Sequence, residues 1–123
     1  MRGRAAAAIV AGLLLAGPAA AQDRGTGFEL FQRHCRTCHV MREGDHRLGP
    51  SLAGIVGREA GVATGFGYSG TMARSPVVWD EAALDAFLAD PAGFMPGNAM
   101  VSPGMSSPQD RAALIAYLAD ADG

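Results

Sequence analysis

Apolar residues recur at helical spacing in three stretches of the chain, separated by segments with no sustained period. From Gly27 to about Cys38, Phe28, Leu30 and Phe31 form a stripe that runs into a pair of cysteines. In the second stretch, Glu81 to Ala89, Leu84, Phe87 and Leu88 share one face; Asp80 is placed to cap its start and Pro91 to end it. The third opens with Ser107 as cap, Pro108 at the first helical position and Asp110 in the first turn, and Leu114, Ile115, Tyr117 and Leu118 supply its buried side. Between the first two stretches lie about forty glycine-rich residues, a length of loop that normally counts against a compact domain. The conflict disappears if those loops wrap a rigid apolar group and pack onto it, with glycines allowing the backbone close. A short helical turn is expected near Ser69 to Arg74. The expected class is therefore all-α: one domain of short helices and long loops, without internal repeats or an interdomain linker.

Cys35-Arg36-Thr37-Cys38-His39 identifies that group. Two thiols and an imidazole at offsets of three and four lie on one side of a helical turn, so they can converge on a single porphyrin. This is the spacing of covalent c-type haem attachment, in which the sulfurs of Cys35 and Cys38 bond the vinyl groups and His39 binds iron. A zinc site needs four ligands, and outside this cluster the chain offers only His34 and His46 with no further cysteine. A thioredoxin-like site needs strand, helix and strand around the motif, and the flanks carry no alternating β-branched runs.

The amino terminus bears on location. Arg2 and Arg4 precede an apolar, small-residue run from Ala5 to Ala16, followed by Pro18 and Ala19-Ala20-Ala21, the pattern of a secretory signal. Residues 1–21 are expected to be removed, leaving a domain over 22–123. The apolar run is interrupted by Gly12, Gly17 and Pro18 and is shorter than the ~20 residues a membrane span requires. Export also suits the cysteines, because c-type haem is attached outside the cytoplasm; a periplasmic protein with no stable membrane insertion is expected. Without Arg2 and Arg4, eight arginines face twelve acidic residues, a formal charge of −4 before haem, and the chain has no lysine. Nucleic acid is not an expected partner. Six arginines and four acids fall between Gln22 and Arg58, against two and eight from Glu59 to Gly123, which predicts a mildly positive amino-terminal part.

His39 takes one face of the iron, so the opposite ligand must come from a distant segment. Met100 lies in Phe94-Met95-Pro96-Gly97-Asn98-Ala99-Met100, a proline- and glycine-rich loop from which a thioether can reach the far face. A His/Met pair is a known haem ligation that raises the reduction potential. Spacing alone favours Met100 only narrowly over Met95 and Met105, because methionines are commonly packing residues.

Taken with these segments, Leu48-Gly49-Pro50-Ser51-Leu52-Ala53-Gly54-Ile55-Val56-Gly57-Arg58, Phe66-Gly67-Tyr68-Ser69, Trp79 and Leu114-Ile115-Ala116-Tyr117-Leu118 give the chain a resemblance to the class I cytochromes c. The soluble bacterial relatives of mitochondrial cytochrome c are the most similar group, and the resemblance extends from Gly27 to Asp120. It implies Met100 as the sixth ligand, with Met95 and Met105 as loop and core residues. It gives Pro50 a carbonyl that accepts from the free ring nitrogen of His39, and it puts Gly49 where a side chain would crowd the haem. Tyr68 and Trp79 are implied as donors to a buried propionate, with Arg58 nearby as a compensating charge. Gly27 and Phe31 are implied at the crossing of the first helix with the last, and His46 as a histidine bonding backbone across two loops; His34 is expected at the surface. Three departures stand out: Phe87 replaces a frequent tyrosine, Met72 a frequent asparagine, and Asn98 a common threonine, so a reduced hydrogen-bond network beside the ligand sulfur is expected. Docking by a ring of lysines is not carried over.

The function these features imply is a single-electron carrier, not an enzyme, expected to be monomeric and to dock transiently on membrane or periplasmic redox proteins. The alternative is an electron-transfer subunit held permanently in a periplasmic oxidoreductase, for which an exposed apolar patch at the haem edge would be the sign.

Overall fold

In the computed structural model, residues 19–121 are described together with the isolated positions Gly3 and Gly12, and side chains are described from Thr26 onward. The expected signal segment, 1–21, falls almost wholly outside these residues. Among the described residues five helices follow one another: α1 (Ala19–His34), α2 (Gly70–Ala73), α3 (Glu81–Ala89), α4 (Pro91–Phe94) and α5 (Pro108–Asp120). Extended pairing among the described residues is limited to one antiparallel bridge, Glu59 with Val78. The all-α class inferred from periodicity is the observed one. No described helix is long and apolar enough to cross a membrane.

The caps explain where α3 and α5 begin. Asp80 Oδ1 accepts from the Ala83 amide at 2.8 Å, and Ser107 Oγ accepts from that of Asp110 at 3.1 Å, each satisfying a donor that has no partner inside its helix. The short turn expected after Ser69 is α2, with Ser69 Oγ accepting from Met72 N–H at 3.2 Å. Two boundaries differ from the sequence expectation. Helix α1 starts at Ala19 instead of Gly27 and stops at His34 instead of Cys38. Its end is set by the Phe31 carbonyl, which takes the amides of both Cys35 and Arg36 at 2.8 and 2.9 Å, so the cysteine motif winds into a turn. Pro91, expected only to stop α3, also opens α4: Asp90 Oδ1 accepts from Gly93 N–H at 3.1 Å and Pro91 occupies the first helical position, where its missing N–H is harmless.

Helices α1 and α5 cross and bury the densest part of the core. Leu30, Phe31, Leu114, Ile115 and Leu118 are all buried, Leu114 completely. A Cβ on Gly27 would overlap the Ala113 carbonyl and stand 2.6 Å from Tyr117 Cβ, so the crossing is only as close as glycine allows. Phe31 and Phe28 flank the Tyr117 ring, with centroids 5.5 and 5.9 Å away. Helix α3 packs on α5 and on α4. There Trp79 meets Phe87 edge to face at 4.9 Å, and Phe94 closes the aromatic group at 6.1 Å from Phe87.

Candidate haem site

The turn that ends α1 presents the attachment motif. Cys38 N–H bonds Cys35 O at 3.0 Å and His39 N–H bonds the same carbonyl at 2.8 Å, which sets the two thiols and the imidazole around one turn. Both cysteines are half-buried and unpaired. Burial, followed by the neighbouring Cys38, pushes the Cys35 thiol up to about 11.

His39 is buried, and its Nδ1 lies 2.7 Å from the Pro50 carbonyl oxygen. A carbonyl can only accept, so Nδ1 carries the proton and Nε2 keeps its lone pair for a metal. Burial lowers the imidazole's pKa from its ordinary value, opposed by the Pro50 bond, and the neutral ring is the ligating form. Gly49 has a more specific reason to be glycine than haem crowding: a Cβ there would overlap the His39 ring itself, with Nδ1 and Nε2 2.6 and 2.8 Å away. Gly49 N–H in turn bonds Cys38 O at 2.9 Å, locking the 47–50 loop against the motif. Two thiols on one turn, an imidazole held as the right tautomer and a glycine cradle beneath it together fit a covalently attached haem.

His46 ties loops as expected. Its Nδ1 accepts from Ser51 N–H at 3.0 Å, which leaves Nε2–H to donate to Thr64 O at 2.8 Å. With both ring nitrogens engaged by backbone, it is no rival for iron. Tyr68 Oη accepts from Ala63 N–H at 3.2 Å, and its ring stacks edge to face on Phe66 at 4.9 Å. Trp79 is buried, and its backbone is bonded to the 57–58 segment: Gly57 N–H to Trp79 O at 2.7 Å, Trp79 N–H to Arg58 O at 2.8 Å. These two bonds bring Trp79 and Arg58 together, as the resemblance implied. The Arg58 guanidinium, however, donates to the carbonyls of Ala53 and Ser51, both at 3.1 Å, and faces a polar cleft of about 550 Å³ shared with His46 and Thr64.

Among the methionines, Met95 and Met105 are buried in the core at 5% and 8% exposure, whereas Met100 is only partly buried at its edge. The burial of Met95 and Met105 is that of packing residues. Three residues outside the expected set prove to organise the site. Ser51, 2% exposed, accepts from Ala53 N–H through Oγ at 3.2 Å while its backbone serves both His46 and Arg58. Arg111 donates through Nε to Asp85 at 2.8 Å and through Nη1 to Met105 O at 2.7 Å, tying α5 to α3 and to the methionine loop. It is one of two arginines in the acidic half of the sequence. The Asn98 side chain forms three hydrogen bonds, all with backbone: it donates to the Pro91 and Met95 carbonyls at α4 and accepts from Met100 N–H. The placement of His34 at the surface is as expected.

Comparison with known proteins places this geometry. The profile of the Cytochrome c family matches residues 25–122. Cytochrome c2 iso-2 of Magnetospirillum fulvum is 50% identical over 84 residues, spanning 68% of this chain and 88% of that protein. Cytochrome c of Chlamydomonas reinhardtii is 43% identical over 104 residues, spanning 84% and 93%. The solved structure of cytochrome cH from Methylobacterium extorquens superposes with a TM-score of 0.73 at 39% identity, covering 78% of this chain and 96% of that one.

Proposed function

The chain belongs to the cytochrome c family as a class I member, and we propose that it is a periplasmic single-electron carrier whose haem iron is held between His39 and Met100. Its cofactor is covalently bound haem c, with Cys35 and Cys38 as the attachment thiols. When bound, the haem supplies a one-electron ferric/ferrous couple. The protein's part is to keep that couple fixed. The His39–Pro50 bond holds the imidazole in one tautomer and one orientation in both oxidation states, so little reorganises when the charge changes. Burial of His39 lowers the polarity around the imidazole, which favours the less charged ferrous form. Tyr68, Trp79 and Arg58 are the groups we assign to a haem propionate, since a carboxylate in such surroundings needs donors or a cation.

The observation that carries the reading is the attachment motif with His39 already in ligating form. The secretory pattern of residues 1–21 supports export, and the family match starts beyond it, at residue 25. Potentiometric titration of the purified protein should give one reversible one-electron transition, and the ferrous form should give no adduct with carbon monoxide at neutral pH. A carbonyl adduct that forms readily would overturn the carrier assignment in favour of an open iron.

Partners would be membrane or periplasmic redox proteins, met through small transient contacts by a monomer. A permanently held subunit is the second reading, and what favours it is apolar exposure beside the site: Leu48, next to Gly49, is 80% exposed, and Val101, next to Met100, is 99% exposed. Gel filtration of a native extract separates the two, a carrier eluting at its own mass and a subunit at that of a larger assembly.

A further inference from the structure

We infer that Asn98 is the positioning residue that keeps the Met100 loop closed over the iron, acting as a three-point clip between that loop and α4. The inference rests on Met100 as the sixth ligand and goes beyond it by naming what sets the loop's opening.

The loop has little backbone bonding of its own. Among the described residues, its backbone-to-backbone bonds from Met95 to Met105 are Met95 N–H to Pro91 O at 3.0 Å, Asn98 N–H to Met95 O at 3.2 Å and Met105 N–H to Leu88 O at 2.8 Å. The Met100 amide is held by a side chain instead, donating to Asn98 Oδ1 at 2.8 Å. From the other end of the same carboxamide, Nδ2 donates to Met95 O at 2.8 Å and to Pro91 O at 3.0 Å. Those carbonyls belong to the first residue of α4 and to its C-cap, and both residues are buried. Asn98 Nδ2 is a second donor to both carbonyls, since Pro91 O also takes the Met95 amide and Met95 O the Asn98 amide, and the same side chain grips the ligand residue.

The partners also fix the orientation of the amide. An N–H must face the oxygen and two carbonyls must face the nitrogen, so the Oδ1/Nδ2 assignment is forced by the chemistry. No other side chain of this length supplies the set: a carboxylate can hold the Met100 amide but would set negative charge against two carbonyls, and a hydroxyl has a single proton to donate. The neighbouring Gly97 allows the clip to form. Its φ is +89°, and a Cβ there would stand 2.7 Å from Thr71 Oγ1 of α2.

For Met100 to leave the iron and admit another ligand, this loop must swing away. A clip that lowers the population of the open form lowers the apparent affinity for an outside ligand by the same factor. The probe is imidazole, titrated into the haem-loaded ferric protein and followed by absorbance, with exchange of the Met100 amide measured in parallel. Asn98→Ala should bind imidazole at least about tenfold more tightly than the parent, since three hydrogen bonds are lost, and the Met100 amide should exchange faster by a similar factor. Asn98→Ser, which keeps one acceptor and one donor, should fall in between and carries the test if the alanine variant does not fold.

His46→Ala is the control, because it removes two hydrogen bonds from a different loop. It should lower thermal stability and leave imidazole affinity within about twofold of the parent, well under the effect of one lost bond at the site. An imidazole affinity unchanged in both Asn98 variants, or raised as much by His46→Ala, would overturn the inference. Met100→Ala separates the two layers. If that variant keeps the sulfur-to-iron absorption band, the ligand assignment fails; if it loses the band while the Asn98 variants behave as the parent, only the clip fails.

Discussion

The crossing of α1 and α5 and the loops between His39 and Asp80 hold themselves together in different ways. At the crossing, apolar side chains meet each other: Leu30, Phe31, Leu114, Ile115 and Leu118 are buried, with Gly27 setting the approach. The loops bury few large side chains and are tied by polar groups reaching for backbone, as His46 does for Ser51 and Thr64 and Arg58 for Ala53 and Ser51. Hydrogen bonds of that kind contribute about 1 kcal/mol each, far less than is needed to offset the ordering of some forty residues. The helices thus supply most of the core, to which the loops add Ile55, Ala60 and Trp79, and the rest of the loop segment is expected to depend on the haem.

The strongest way to break this comparison is to remove the attachment. Cys35→Ala with Cys38→Ala should cost most of the ~5–15 kcal/mol of stability typical of such a domain, because a group that binds only the folded form is lost. Amide exchange read region by region should show protection vanishing first across residues 39–80. Native-like protection of those loops without haem would contradict the account. Next in size is Leu114→Ala, in the completely buried position on α5: about 2–5 kcal/mol by denaturant unfolding, with the reduction potential unmoved.

A matched pair sharpens the contrast. Gly27→Ala and Gly49→Ala each place a methyl group on top of another residue, backbone and Tyr117 in one case, the His39 ring in the other. The first should destabilise by about 1–3 kcal/mol and leave the haem spectrum intact. The second should disturb the spectrum and the potential, because the displaced atoms belong to the ligand. Equal spectra for the two would mean that Gly49 does not seat the imidazole. The smallest effect is expected for His46→Ala, about 1–2 kcal/mol from two lost bonds, measured by thermal unfolding.

How much was legible in the sequence follows from the same division. The starts of α3 and α5 could be placed, because Asp80 and the Ser107-Pro108 pair are local signals for a helix start. The early start of α1 was hidden, since residues 19–26 carry no apolar stripe. Helix α4 was hidden because four residues have no period and Pro91 reads equally well as a stop or a start. At the site, the attachment motif was plain from spacing, and the His39–Pro50 bond and a loop-to-loop role for His46 followed from the family resemblance, the partner Thr64 being seen only in the structure. The clip at Asn98 and the double bond of Arg111 to Asp85 and Met105 were not foreseen. Both join a side chain to positions on other elements, and nothing local in the sequence names those partners.

The claim at the centre is that iron is held by His39 on one side and Met100 on the other. The ferric spectrum of the haem-loaded protein, recorded beside that of Met100→Ala through a potentiometric titration, tests it most directly. The expected result is a far-red sulfur-to-iron band in the parent, absent from the variant, together with a lower potential in the variant. A band and potential that survive the substitution would show that another group completes the coordination.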